Sequence, residues 1–276
     1  MSRGGTQLAW GACTDRGLKR AKNEDAYLAE FPVFLVADGM GGHEAGAEAS
    51  QRALAAFRPL VDRSDITGED VRAAFDIAVR EVESIHTERF APGTTLAGVV
   101  LCELSGSTYW LVLNIGDSRT YLFSDGRLEQ ISIDHSAVQA LVERGQLLPS
   151  DAERHPDRNV VTRAVGGGSS GDPDYWMLPA QAGDRMLVCS DGLTKELAAE
   201  QIRAVLVEEA SAQGAATRLV HESLLSGGRD NTTVVVVDAH GVIDVDDAPT
   251  ASADVVDEDT RPRSEVAEGG LYDAQV

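Results

Sequence analysis

Four times along this chain an apolar run of strand character meets an aspartate beside glycine or asparagine. VFLVADGMGG runs into Asp38, WLVLNIGDSR into Asp117 and RMLVCSDGL into Asp191, while GGRDNTTVVVV starts from Asp230. Taken singly, each junction is a turn signal, because Asp and its small neighbours tolerate tight backbone geometry. Taken together they constrain the fold, since strands of one sandwich can bring their ends to a common rim. Four carboxylates gathered there repel one another unless something positive sits between them.

The rest of the chain fits such a sandwich. Strands are predicted over 7–13 and 33–37, then in a block over 96–104, 108–115, 120–123 and 128–131, broken by the turn pairs Ser105-Gly106 and Asp125-Gly126. Adjacent hairpins imply antiparallel pairing. Helices are predicted over 44–58 and 69–89; in the latter Val71, Ala74, Phe75, Ala78, Val82 and Ile85 trace one face. A polar helical insertion over about 136–155 and a Gly/Ser-rich loop over 166–171 precede a strand at 185–189. Two more helices, over 196–210 and 213–225, lead to a final strand at 232–237, whose β-branched run suits a central position. Strands and helix pairs in segregated runs point to an α+β sandwich rather than a regularly alternating parallel fold.

Charge and cysteines narrow the function classes. The formal net charge of 276 residues is -21, a field that repels nucleic acid phosphate. Residues 244–276 hold ten Asp or Glu against Arg261 and Arg263, so this segment carries -8 and reads as an acidic disordered tail. Cys13, Cys102 and Cys189 lie far apart in apolar runs and are expected to be buried free thiols, which favours a reducing compartment. No apolar run approaches the ~20 residues of a membrane-spanning helix and MSRGGTQLAW lacks the build of a signal peptide. The expected location is the cytoplasm, with neither nucleic acid nor membrane as a partner.

A hard divalent cation is the natural occupant of a rim of aspartates. Oxygen ligands without Cys or His at metal spacing select Mg2+ or Mn2+ over Zn2+. Gly39 would let backbone approach closely and leave a carbonyl as a ligand, whereas Gly41 and Gly42 read equally well as a plain glycine-rich loop. Upstream, RGLKRAKNED offers Arg20 as a paired-donor site for a phosphoryl group, or simply as part of an exposed basic turn. There is no GxxxxGK[ST] phosphate loop and no HExxH helix, and Gly116-Asp117-Ser118-Arg119-Thr120 lacks the second glycine of a nucleophile elbow. Ser118 and Ser190 are accordingly read as structural.

In order, RGLKRAKNED, DGMGG at 38–42, GTTLAG at 93–98, IGDSR at 115–119, SDGL at 190–193 and RDN at 229–231 resemble the bacterial members of the protein phosphatase 2C, or metal-dependent protein phosphatase, family. The resemblance covers roughly residues 7–239. It implies a catalytic domain over 7–240, built as a four-layer α-β-β-α sandwich of two antiparallel sheets flanked by helix pairs. It implies two Mn2+ or Mg2+ ions: Asp38 bridging both, Gly39 giving its carbonyl to one, and Asp191 and Asp230 holding the other. Asp117 matches a ligand of a third, weaker metal. Glu24 and Asp25 match acidic residues acting through bound waters or behind the ligands, and Arg20 matches the phosphate-binding arginine. Residues 134–166 resemble the family's mobile flap, in which Asn159 stands near a third-metal position but is a poorer ligand than a carboxylate.

The activity this implies is hydrolysis of phosphoserine and phosphothreonine in proteins by a metal-activated water, reversing Ser/Thr kinase signalling, with a Ser/Thr protein kinase among the phosphorylated partners. Paired cations activate the water and clamp the phosphoryl oxygens. Arg20 would hold the non-bridging oxygens, and the leaving alkoxide needs a proton. His43, just past DGMGG, is either that donor or a solvent-exposed residue at a helix start; relatives from animals carry their acid histidine directly after Asp-Gly, where this chain has Met40. The other histidines, His86, His135, His155, His221 and His240, read as surface or packing residues. A pseudophosphatase serving as a binding module would lack ligands, and Asp38, Asp191 and Asp230 all stand. A partner-switching phosphatase for one small phosphoserine anti-anti-sigma-type protein is the rival job. Such enzymes carry sensory domains in front, whereas about six residues precede the first strand here.

Overall fold

A computed structural model describes residues 2–3, 6–41, 44–86, 91–152, 154–168 and 171–242. The predicted acidic tail over 244–276 lies outside the described residues, as do Gly42 and His43.

The elements run in the order β1 (Ser2–Arg3), β2 (Thr6–Asp15), β3 (Asp25–Glu30), β4 (Val33–Met40), α1 (Glu44–Ala55), α2 (Gly68–Glu83), β5 (Gly93–Thr94), β6 (Leu96–Leu104), β7 (Ser107–Ile115), β8 (Arg119–Ser124) and β9 (Arg127–Gln130). There follow α3 (Ala137–Glu143), α4 (Pro149–Ala152), β10 (Val165–Gly166), β11 (Asp174–Pro179), β12 (Arg185–Cys189), α5 (Asp191–Thr194), α6 (Ala199–Glu208), α7 (Ala212–Ser226) and β13 (Thr232–Gly241). One sheet has the order β1-β2-β13-β12-β8-β9; the other is β10-β5-β4-β6-β7-β11, with β3 also paired to β4. Every pairing is antiparallel.

Three apolar layers hold the four structural layers together. Phe34, Val36, Trp110, Val112, Met186, Val188, Val235 and Val237 fill the space between the sheets. Alternate residues of the same strands, Leu35, Leu113 and Ile115, face Val71, Ala74 and Phe75 of α2 and Ala49 and Ala53 of α1. On the opposite side Leu187, Cys189, Val234 and Val236 pack on Ile202 of α6 and on Ala216 and Leu219 of α7. Because both faces of the inner strands are covered, they read as unbroken apolar runs rather than as alternation. Burying one such Leu, Ile or Val contributes about 1.5–3 kcal/mol. β13 lies between β2 and β12, the interior position its β-branched run suggested.

Local chemistry sets the boundaries. Asp125 and Gly126 both take positive φ, as do Ser105 and Gly106, the left-handed pairs that a tight two-residue hairpin demands. Registers Ser124↔Arg127 and Leu104↔Ser107 follow from these turns. α2 begins at a reciprocal cap in which the Asp70 N–H donates to Thr67 Oγ1 and the Thr67 N–H donates to Asp70 Oδ2.

Some expectations need correction. α2 stops at Glu83 rather than 89, and the insertion over 136–155 holds two short helices, α3 and α4. β3 and β11 went unread: DAYLAE has the Ala, Leu and Glu content of a helix, and DYWMLP ends in proline. Cys102 and Cys189 are buried, but Cys13 is only half-buried. Burial pushes the Cys102 and Cys189 thiols up to about 12, which leaves them inert as thiolates at neutral pH. Among the described residues no helix is long and apolar enough to cross a membrane.

Candidate metal centre

The two sheets bring their acidic strand ends to one rim, around a cleft of about 520 Å³ lined by Arg20, Glu24, Asp38, Gly39, Asp117, Asp191 and Asp230 among others. Asp38 sits near the end of β4, and Asp25, at the start of β3, is its direct cross-strand partner. Asp117 occupies the turn between β7 and β8, Asp191 opens α5 after β12, and Asp230 precedes β13. Five aspartates from both sheets therefore share one end of the sandwich.

Backbone and side-chain contacts fix this rim. The Asp38 N–H donates to Thr95 Oγ1 at 3.0 Å, and the Thr95 N–H donates back to the Asp38 carbonyl at 2.9 Å. Ser190 Oγ donates to Asp25 Oδ2 at 2.7 Å and accepts from the Thr233 N–H at 2.9 Å, joining β3 of one sheet to β12 and β13 of the other. Asn231 accepts from the Glu24 N–H at 2.9 Å and donates to the carbonyls of Arg16 and Lys22, so the basic turn is tied to the Asp230 loop. Gly39 is required by close approach: a Cβ there would lie 2.1 Å from the Gly46 carbonyl oxygen of α1 and 2.7 Å from that of Glu24.

Electrostatic strain at the rim is severe. Burial, and then the charges of Asp25, Asp191, Asp117 and Asp230, hold the Asp38 carboxyl well above the usual carboxylate range. Burial pushes Asp25 up to about 7 against the hydrogen bond from Ser190, and burial with the Asp191 charge does the same for Asp117. Asp191 is raised as well, by burial, although Lys195 opposes the shift.

Three buried carboxylate oxygens at the rim have no partner. Oδ1 of Asp25, of Asp117 and of Asp191 is buried and accepts no hydrogen bond. A carboxylate can only accept, so a cation is what such atoms lack. The donor set, all oxygen, suits a hard divalent ion. Among the described residues no three His, Cys, Asp or Glu side chains converge as a closed ligand set. Side-chain cations lie on two of these groups: Arg20 Nη2 donates to Asp230 Oδ1 at 2.8 Å and Oδ2 at 2.9 Å, and Lys195 lies on Asp191 and, at 3.2 Å, on Asp230. Two of the carboxylates, Asp191 and Asp230, thus carry side-chain cations.

This arrangement matches a known family. The profile described as Protein phosphatase 2C matches residues 18–224. The chain belongs to the protein phosphatase 2C family. It is 42% identical over 253 residues to the serine/threonine protein phosphatase PstP of Mycobacterium tuberculosis, a match covering 89% of this chain and 47% of PstP. The chain thus spans about half the length of that curated relative. The serine/threonine phosphatase stp of Listeria monocytogenes is 31% identical over 239 residues, with 82% of this chain and 93% of that protein covered. Among solved structures, the catalytic domain of PstP in complex with two manganese ions superposes with a TM-score of 0.75 at 37% identity, covering 84% of this chain and 98% of that one. The α-β-β-α sandwich of this chain is therefore that of the bacterial phosphatase 2C domains.

Within the phosphatase 2C frame, Arg20, Glu24, Asp38, Gly39, Asp117, Asp191 and Asp230 all line one cleft, and Asp25 pairs with Asp38 on the adjacent strand. His43 lies outside the described residues. Asn159 and Val161 reach the same cleft from the insertion over 134–166. The base of that insertion is pinned by His135, which is buried rather than on the surface. Its Nδ1 accepts from the Gly116 N–H at 3.2 Å and its Nε2–H donates to Asp174 Oδ2 at 2.9 Å, while Arg163 donates to Asp174 Oδ1 at 3.0 Å. Sequence reasoning missed Lys195, Thr95 and Asn231. Lys195 carried a signal in its four-residue spacing from Asp191, which on a helical turn makes neighbours, and Thr95 and Asn231 lay within the motifs GTTLAG and RDN.

Proposed function

We propose that this chain removes phosphate from phosphoserine and phosphothreonine in proteins, with two Mn2+ or Mg2+ ions held by Asp38, the Gly39 carbonyl, Asp191 and Asp230. Asp117 would hold a third, weaker ion, and Glu24 and Asp25 would act through waters or orient the ligands. The observation that carries this reading is the rim itself: buried oxygens of Asp117 and Asp191 without partners, set beside Asp38, Asp230 and an arginine in one open cleft. The manganese of the PstP domain supports the choice of ion. When bound, the ions would activate a water and clamp the phosphoryl oxygens.

The chain's own side chains supply the rest. Arg20 is half-exposed and its guanidinium reaches the cleft, where its paired donors match the non-bridging oxygens of a phosphoryl group. The aspartates repel a phosphate in the absence of cations, so substrate binding and ion binding are coupled. His43 is proposed as the proton donor to the leaving alkoxide. The segment 134–166 is proposed as a flap that shapes substrate choice, its Asn159 and Val161 lining the cleft. The domain is taken as 7–240, followed by an acidic tail over 244–276. Its substrates would be phosphorylated proteins, a Ser/Thr kinase among them, in a reducing cytoplasm suited to three free cysteines.

Phosphate release from phosphothreonine, phosphoserine and phosphotyrosine peptides with Mn2+ tests this directly. The expected result is release from the first two, reduced roughly 10²–10³-fold in kcat by Arg20→Ala. Release from phosphotyrosine alone, or from none, contradicts it.

A further inference from the structure

Lys195 lines the cleft and has no part in that reading. Lys195 caps α5, and its N–H donates to the Asp191 carbonyl at 2.8 Å, so a single helical turn carries both residues. Its Nζ lies on Asp191 Oδ2 and 3.2 Å from Asp230 Oδ2. The placement is built into the fold. Arg229, next to Asp230, donates through Nη2 to the Lys195 carbonyl at 3.1 Å, and through its N–H and Nε to Glu196 Oε1, both at 2.9 Å. The Glu196 side chain is 1% exposed, so this clamp fixes the Lys195 segment against the Asp230 loop.

We propose that Lys195 is an internal counter-cation that occupies the Asp191–Asp230 carboxylate pair and sets how tightly this half of the centre takes a divalent ion. The inference rests on the reading of the cleft as a metal centre. An ammonium and a divalent ion cannot share the same carboxylate oxygens without strong repulsion at contact distance. Filling this half therefore requires the ammonium to withdraw, while its backbone stays clamped by Arg229. Without the ion, Lys195 offsets repulsion between two carboxylates; with it, Lys195 opposes binding. The chain thereby trades metal affinity for integrity of the metal-free rim.

Isothermal titration of the metal-free full chain with Mn2+ tests this, using Lys195→Met and Lys195→Gln, which remove the charge, and Lys195→Arg, which keeps it. The charge-removing variants are expected to bind Mn2+ roughly tenfold more tightly, and Lys195→Arg to stay near wild type. In parallel, their metal-free melting temperature is expected to fall and the rise on adding Mn2+ to grow. Equal or weaker Mn2+ affinity in both Lys195→Met and Lys195→Gln overturns the inference alone. Failure of the wild-type chain to take up Mn2+ overturns the metal centre and this inference with it.

Discussion

Asp25 and Asp38 stand directly opposite each other on β3 and β4. Like charges in that position destabilise a sheet, and here both carboxylates are also withdrawn from water. Ser190 satisfies one oxygen of Asp25, and a proton on the pair or a nearby cation relieves the rest of the repulsion.

Asp38→Asn is accordingly expected to raise the melting temperature of the metal-free protein by about 2–4 °C, equivalent to roughly 1 kcal/mol in a chain of this size. The same substitution should abolish the increase in melting temperature on adding Mn2+. Differential scanning calorimetry with and without chelator reads both. A metal-free variant less stable than wild type would argue against charge repulsion as the dominant strain.

The pH dependence has a definite sign. Asp25 and Asp117, pushed up to about 7 in the folded protein, titrate near 4 when unfolded. Between those values the folded state holds protons that the unfolded chain has released, so metal-free stability declines as pH rises from about 4 through about 7. Thermal unfolding in chelator across that range should show the decline, and Asp25→Asn should make it shallower, leaving the part due to Asp117. Parallel profiles for the two proteins would remove Asp25 from the explanation.

Ser190 links the sheets through one hydroxyl that donates to Asp25 and accepts from the Thr233 N–H. Ser190→Ala leaves both partners buried and unmatched, at a cost of about 1–3 kcal/mol. Urea unfolding should show the midpoint falling with the slope unchanged. An unchanged midpoint would mean that water replaces the hydroxyl, and that the bridge adds nothing.

Much of the fold was legible because its inner strands are covered on both faces: VFLV, RMLVC and TTVVVV could hardly be anything but buried strands. The hairpins at Ser105-Gly106 and Asp125-Gly126 were legible because left-handed backbone is a local demand. β3 was not, because pairing with β4 along six residues overrides the helical leaning of DAYLAE. The four aspartates at strand ends could be read from the chain. Their company could not: Ser190 and Asp25 meet across 165 residues, and Lys195 reaches Asp230 across 35, contacts that only the packed sheets create.

The most direct test of the account is phosphothreonine-peptide turnover by chelator-stripped protein titrated with Mn2+, compared for wild type, Asp38→Ala and Asp191→Ala. Wild type should be silent without metal and active with it, and each variant should lose roughly 10²–10³-fold or more of that rate. Turnover without metal, or a metal-activated Asp191→Ala as fast as wild type, would contradict it.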